Sequence, residues 1–374
     1  MKFVLSSTEL YARLQLLGRV IVSKNNLPIL DSILFETGSG RLTLTASDNE
    51  TTVTADVELT ECDADFRFVV NAKTIQDAMK EIPEQPLTFF VNEHTFEVTV
   101  EYQNGRYSLV GQAADEYPAP PALEEGAPGL TIDSPLLLAG IGRALFAAAD
   151  DEFRPIMTGV YFDMTDHDLT LVASDGHKLV CDRMGNVAHV EPGSFILPKK
   201  PAQLLKYALA KVQGPTTLHY GSRGAVIEAA GTRITCRLIE GRYPNYNSVI
   251  PQDNPNRATL NRAAVLSALK RVLVFSSANS ALVKLAFAPG RLTLSSQDID
   301  FSMSAEEALL CDYEGAPLCI GFKGTFLLEL LNNLEGEEFV MQLSDPSRPG
   351  IIVPAEQGAD ESVLMLLMPM MLSD

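Results

Sequence analysis

The sequence predicts an α+β protein in which one domain is written three times. The segments Leu42-Thr-Leu-Thr-Ala-Ser-Asp48, Leu169-Thr-Leu-Val-Ala-Ser-Asp175 and Leu292-Thr-Leu-Ser-Ser-Gln-Asp298 recur about 125 residues apart. That period exceeds solenoid and propeller repeats and matches the size of a whole domain. The flanks repeat as well. Helical stripes at i, i+4, i+7 follow each segment: Ile75-Met79-Ile82, Leu205-Leu209-Val212 and Leu327-Leu331-Leu334.

Each copy opens on a helix. The first carries Leu10, Leu14 and Leu17 behind a Ser6-x-x-Glu9 capping box; the second carries Leu137, Ile141 and Leu145 with Pro135 in its first turn; the third carries Leu266, Leu269 and Leu273 after Asn261. An apolar strand comes next, 32–36 in the first copy and 159–163 in the second, and a short turn joins it to the Leu-Thr-Leu strand as a hairpin. Further strands are expected at 66–70, 96–102 and 107–110, and at 217–220, 225–229 and 233–238. Two helices on a mainly antiparallel sheet make each unit α+β. Proline-rich stretches at 113–129 and 244–256 read as stiff connectors, which sets expected domains of 1–122, 129–251 and 256–374.

At 46% hydrophobic and 21% charged residues, the chain can bury several ordinary cores. Its longest apolar run, 363–372, is too short to span a bilayer, and Met1-Lys-Phe-Val lacks the pattern of a cleaved leader, so a cytoplasmic protein without membrane contact is expected. Cys62, Cys181, Cys236, Cys311 and Cys319 are odd in number and never form a CxxC pair; they read as free core thiols.

The formal net charge of −19 argues against a surface coated all over for nucleic acid, but the bases are not evenly spread. The helix after Pro198 has Lys199, Lys200, Lys206 and Lys211 with no acid through Val212; 261–279 has Arg262, Lys270 and Arg271 with no acid; 135–149 has Arg143 and no acid. The first helix adds Arg13, Arg19 and Lys24 against Glu9 alone. Singly, each is an ordinary solvated face. Four together in so acidic a chain point to sequence-independent phosphate contact, since no base-reading motif accompanies them.

No enzyme site emerges. Ser174-Asp175-Gly176-His177 holds the residue types of a hydrolase triad, but neighbours at a strand end cannot point at one another as a triad requires. It reads as a turn, with Asp48, Asp175 and Asp298 each capping its own copy. His94, His167, His189 and His219 lack zinc spacing, and no phosphate-binding glycine loop is present, so neither cofactor nor metal is expected. A hydrolase using the 175–177 region and an acidic scaffold that binds only proteins are the competing readings.

Met1-Lys-Phe, Leu27-Pro-Ile-Leu30, Ala173-Ser-Asp-Gly-His-Lys-Leu179, Gly241-Arg-Tyr-Pro-Asn-Tyr246, Ile320-Gly-Phe322 and Met368-Pro-Met370 together resemble the bacterial sliding clamps, the beta subunits of DNA polymerase III. The resemblance runs the whole length. It implies a processivity factor with no catalytic site: a head-to-tail homodimeric ring around duplex DNA, opened by an ATP-driven clamp loader. It would tether the DNA polymerase III catalytic subunit, other replication and repair polymerases, and ligase-type clients. It also implies DNA-facing Lys24, Lys80, Lys199, Lys200, Arg262, Lys270 and Arg271, and a dimer contact of Tyr107 and Leu109 with Val274 and Phe275. A client-peptide pocket is implied at Met157, Ser174, Gly176, His177, Leu179, Pro244, Val249, Leu366, Met368, Pro369 and Met370. Lys178 and Ser248 stand where relatives often have Arg, and Met371 replaces a basic residue, which bears on client preference.

Ring arithmetic favours two chains. Helices about 9 Å apart and roughly 5 Å in radius leave a hole of about 24 Å when twelve form a circle, and about 7 Å when six do. Only the larger admits a duplex.

Overall fold

A computed structural model of the chain describes every residue except 23–24, 152, 186, 188–191 and 373–374, so the expectations for Lys24 and His189 lie outside the described residues. The first copy contains β1 (Lys2–Ser6), α1 (Ser7–Leu17), β2 (Ser32–Gly38), β3 (Arg41–Ser47), β4 (Thr51–Glu58), β5 (Glu61–Cys62), β6 (Phe66–Asn71), α2 (Ala72–Lys80), β7 (Pro86–Val91), β8 (Glu97–Tyr102) and β9 (Gly105–Val110). The second contains β10 (Gly129–Asp133), α3 (Ser134–Leu145), β11 (Gly159–Met164), β12 (Asp168–Ser174), β13 (Lys178–Gly185), β14 (Gly193–Pro198), α4 (Lys199–Leu209), β15 (Pro215–Tyr220), β16 (Gly224–Ala229) and β17 (Thr232–Arg237). The third contains β18 (Asn256–Asn261), α5 (Arg262–Leu273), β19 (Leu282–Ala288), β20 (Arg291–Asp298), β21 (Met303–Leu310), β22 (Leu318–Lys323), α6 (Gly324–Asn332), β23 (Glu338–Leu343), β24 (Gly350–Pro354) and β25 (Glu361–Leu367). Apart from the added β5 of the first copy, the order is the same three times, two helices among antiparallel strands.

Local chemistry starts the helices where the sequence places them. The Ser6 side chain accepts from the Glu9 N–H, Asn71 from Thr74 and Asn261 from Ala264, each satisfying an otherwise orphan donor of a first turn. The ends differ from the periodic reading. Ile82, Val212 and Leu334 lie just past the last helical residue, and α3 and α5 stop at Leu145 and Leu273, short of the acid-free runs. The stripe continues because a tight turn carries on along the same face: the N–H of Ile82 donates to Met79 O and that of Val212 to Leu209 O. Ile82 and Leu334 stay buried without being helical.

The chain divides into two compact units, residues 1–138 with 200–238 and residues 139–199 with 239–374. The first unit holds a sheet ordered β5-β1-β7-β8-β9 and an eight-stranded sheet ordered β10-β15-β16-β17-β4-β3-β2-β6. In it α1 packs on α2 and across β3 and β4, burying Leu10, Leu14 and Leu17. The second unit holds an eight-stranded sheet ordered β14-β11-β12-β13-β25-β24-β23-β18 and a four-stranded sheet ordered β21-β20-β19-β22. There α5 packs on α6 and across β20 and β21. Each eight-stranded sheet therefore takes four strands from one copy and four from the next.

The cysteines are free, but only Cys236 and Cys311 are buried; Cys62 and Cys319 are exposed, correcting the expectation of five core thiols. Hydrophobicity alone does not bury a small thiol on a short edge strand such as β5. Burial pushes the Cys181 and Cys236 thiols up to about 12, which keeps them protonated and unreactive.

Candidate functional site

The three repeated aspartates make the same turn. Asp48 Oδ1 accepts from the N–H groups of Glu50 and Thr51, Asp175 Oδ1 from His177 and Lys178, and Asp298 Oδ1 from Asp300 and Phe301. In the middle copy Ser174 Oγ donates to Lys178 O at 2.8 Å and accepts from the Gly176 N–H at 3.1 Å. Gly176 has φ +88°, but the first copy manages φ +76° with Asn49, so handedness alone does not demand glycine. Space does not demand it either: a Cβ on Gly176 would stand 2.8 Å from Arg154 Nη1, the far end of a long side chain that can move aside, so glycine is favoured here by its φ.

This turn forms one wall of an apolar cavity of about 210 Å³ in the second unit. Of the residues expected at a client-peptide pocket, Met157, Ser174, Gly176, His177, Leu179, Pro244, Val249, Leu366 and Met368 line this cavity, whereas Pro369 and Met370 do not. Strand β25 explains the difference. Its ladder with β13 runs on to the Met368 N–H, which donates to His177 O at 2.9 Å, and the chain then turns so that the Met370 N–H bonds Gly321 O. Lys178 also lines it, and Tyr243, Asn245 and Tyr246 complete the lining. The signal for them was the Gly241-Arg-Tyr-Pro-Asn-Tyr246 stretch, which reads as a connector until Tyr243 is seen stacked on Tyr161, centroids 4.6 Å apart. Burial pushes the Tyr243 phenol up, so it stays neutral beside the apolar wall.

Lys178 does not decorate the rim. It is 5% exposed, its Nζ lies 2.8 Å from Asp175 and 3.0 Å from Glu329, and it sits over the Phe326 ring, on which His177 also stacks. Burial by itself would lower the lysine and raise Asp175. Their mutual hydrogen bond, with Glu329 and two backbone donors, outweighs burial, raising Lys178 and lowering Asp175, so both stay charged. Ser248 Oγ is tied to Asn245 O, and Met371 is 83% exposed. No proton relay runs from Ser174 through His177 to Asp175, because the serine hydroxyl and the carboxylate are committed to the turn and the imidazole lies on Phe326.

Behind the cavity, Arg143 of α3 ties β13 to β25: its Nε lies 3.3 Å from Asp182 Oδ2 and its Nη2 2.5 Å from Glu361 Oε1. Burial pushes Asp182 up to about 6, with Arg143 opposing the rise and Glu361 and Glu335 adding to it. A raised acid stabilises the fold fully below its unfolded pKa near 4, and that contribution is lost as pH rises through about 6. Asp182→Asn is therefore expected to remove a decline in stability that wild type shows between about pH 4 and pH 6, worth on the order of 3 kcal/mol. Arg143→Ala, which strands the buried Asp182 carboxylate and leaves half-buried Glu361 without its partner, should cost about 3–5 kcal/mol in urea unfolding at pH 7.

The expected DNA-facing bases are mostly engaged. Lys199 reaches Ala148 O and Asp150, and Lys200 bonds Val20 O and Asp48. Arg262 donates to Gly336 O and Leu331 O, and Arg271 grips Glu307 through two contacts of 2.6 Å. Lys80 stands 3.8 Å from Glu81. Among the described residues Lys270, on the exposed face of α5, forms no ion pair, and neither do exposed Lys206 and Lys211. Of the expected contact residues, Val274 is 71% exposed and Phe275 38% at the end of α5, while Tyr107 and Leu109 are half-buried on β9.

The chain matches the DNA polymerase III beta subunit N-terminal domain over residues 1–121, its central domain over 131–245 and its C-terminal domain over 247–371. It is 28% identical to the beta sliding clamp of Synechococcus elongatus and 27% identical to that of Pseudomonas putida, in each case across 100% of both chains. A solved structure of the DNA polymerase III beta subunit from Thermotoga maritima, 27% identical, superposes over 100% of both chains with a TM-score of 0.91.

Proposed function

Since the chain belongs to the bacterial DNA polymerase III beta-subunit family and is a processivity clamp of that polymerase, we propose that two copies close head to tail into a ring around duplex DNA. The observation that carries this is a junction made twice and left unmade once. Strand β4 of the first copy pairs with β17 of the second, and β13 of the second pairs with β25 of the third. Strand β21, their counterpart, ends its sheet, and β9 ends the sheet at the other extreme of the series. A heterologous contact of this kind closes only if another chain supplies the missing strand. Domains of 1–122, 129–251 and 256–374 then make six around the hole.

The clamp performs no chemistry of its own and works in the cytoplasm. An ATP-driven loader opens it, and the polymerase catalytic subunit, repair polymerases and ligase-type clients share one peptide site per chain at the 210 Å³ cavity. Clients with a Gln and a Leu-Phe-like end fit the apolar wall and its turn of polar backbone.

DNA contact is through charge. Because Lys199 and Lys200 hold Asp150 and Asp48, reversing them is expected to unfold local structure as well as weaken binding. Lys270→Glu with Lys206→Glu is the cleaner test. It should shorten the residence of loaded clamps on nicked circles equally for all sequences, and lower the salt slope of direct binding by about 2. A preference that changes with base sequence would count against phosphate contact. The ring itself predicts clamps that survive high salt on circles and leave linear ends.

A further inference from the structure

Two equivalent positions carry different chemistry in the three copies. The residue paired with the second leucine of each Leu-Thr-Leu run is Ala55 opposite Leu44, Asp182 opposite Leu171 and Glu307 opposite Leu294. Nine residues after the start of each copy's first helix stand Leu16, Arg143 and Arg271. The first copy is therefore apolar here, with Leu16 and Ala55 buried, and the third holds a one-to-one ion pair of Arg271 with Glu307. The second sets Arg143 against two carboxylates, Asp182 of β13 and Glu361 of β25. That cluster spans the joint between the second and third copies. In the joint of β4 with β17, Thr232 faces Ala55 as Val363 faces Asp182, and the place of Glu361 falls to Ala230.

One guanidinium cannot neutralise two carboxylates, so the cluster is net negative when all three groups are ionised. Asp182 is fully buried, and neither of its oxygens has a hydrogen-bond partner. Helix α3 closes over it without spare room: a Cβ on Gly140 would stand 2.9 Å from Leu171 Cδ1 and from Met184 Cε, and 3.4 Å from Asp182 Oδ2. Glu361 is only half-buried and keeps its contact with water. The charges acting on Asp182 are Arg143 from α3, Glu361 from β25 and Glu335 from the turn after α6; Leu171 of β12 is apolar. Cys181 and Arg183, its neighbours on β13, point to the opposite side of the sheet. Burial and two acids thus favour a protonated Asp182, and Arg143 alone opposes.

The strand that seals the cluster is held lightly there. Strand β24 pairs with β25 only over Met365–Leu367, so in the ladder residues 361–364 lie on β13 alone. Parting that stretch brings water to Asp182, while Leu179 and Leu366 at the cavity end of the same ladder stay paired.

We propose that the joint between the second and third copies is proton-linked: parting residues 361–364 from β13 releases to water a proton that the closed joint holds on Asp182, so acid keeps this joint shut and neutral pH loosens it, whereas the joint of β4 with β17 does not respond. It needs only one chain and is independent of ring closure. The sign follows from Asp182 being pushed up to about 6 in the closed joint against about 4 in water; the added hold is complete below the lower value and is lost as pH rises through the upper. The pair in the third copy has no such link in this range, because Arg271 holds Glu307 below the usual carboxylate range.

Hydrogen exchange followed by mass spectrometry on the full-length chain tests this, with peptides covering 178–185 and 361–367 for one joint and 51–58 and 232–237 for the other. After correction for the intrinsic exchange rate, protection at 361–364 should fall about twenty-fold between pH 4.5 and 6.5, and protection in the other joint should stay level. Asp182→Asn should flatten the profile. Glu361→Gln, which leaves Arg143 to Asp182 alone, should shrink the fall, and it decides the matter if the asparagine variant does not fold. A flat wild-type profile, or a fall that survives Asp182→Asn or is undiminished in Glu361→Gln, overturns the proposal. So does an equal fall in both joints, which would place the proton in global unfolding.

Discussion

A chain carrying Val274→Asp and Phe275→Asp is expected to sediment as a 40.7 kDa monomer at micromolar concentration, where wild type runs at twice that mass. Val274 closes α5 at 71% exposure and Phe275 follows it, so neither change disturbs a core within the chain. At the proposed interface they meet Tyr107 and Leu109 of the second copy. Burying two such side chains contributes about 3–6 kcal/mol, and an unpaired carboxylate in their place adds a desolvation cost. Dimerisation should therefore weaken by roughly two to four powers of ten, and stimulation of processive synthesis should vanish with the ring. A variant that keeps the doubled mass would place the interface elsewhere.

Met368→Lys is expected to abolish binding of polymerase and loader together while the dimer stays intact. Met368 lines the cavity, and its backbone N–H is fixed on His177 O, so the substitution changes the wall without moving the strand. Losing the contact of one apolar side chain costs about 1.5–3 kcal/mol, and a cation that must be desolvated costs more. A labelled client peptide should lose a hundred-fold or more in affinity, about 2.7 kcal/mol or above. Met370→Lys should change this binding far less, since Met370 lies against Gly321 and away from the cavity. Equal peptide binding by Met368→Lys and wild type would move the client site away from this pocket.

Much of the architecture was legible because it rests on local, repeated chemistry. Ser6 and Asn261 announce helix starts, and the three Leu-Thr-Leu runs announce strands with a capped turn after each. The helix ends were less legible: Ile82 and Leu334 keep the apolar period past the last helical hydrogen bond, and burial reads the same in a helix or a turn. The pocket was legible in its apolar members. It was not in Tyr243 and Tyr246, whose aromatic partners come from β11, some 80 residues earlier.

The sequence by itself determined that this protein is one α+β domain written three times, because periodicity, capping and internal repetition are properties of neighbouring residues, and its resemblance to the sliding clamps added the family. Only the tertiary structure decided what each charge does. Composition marks Lys178, Lys199, Lys200 and Arg271 alike as bases in acid-poor surroundings, yet folding sets each beside a carboxylate from a distant segment and leaves Lys270 unpaired. A charge is available to a partner only when the fold has not already satisfied it, and that depends on contacts between distant segments, as between Lys200 and Asp48, 152 residues apart.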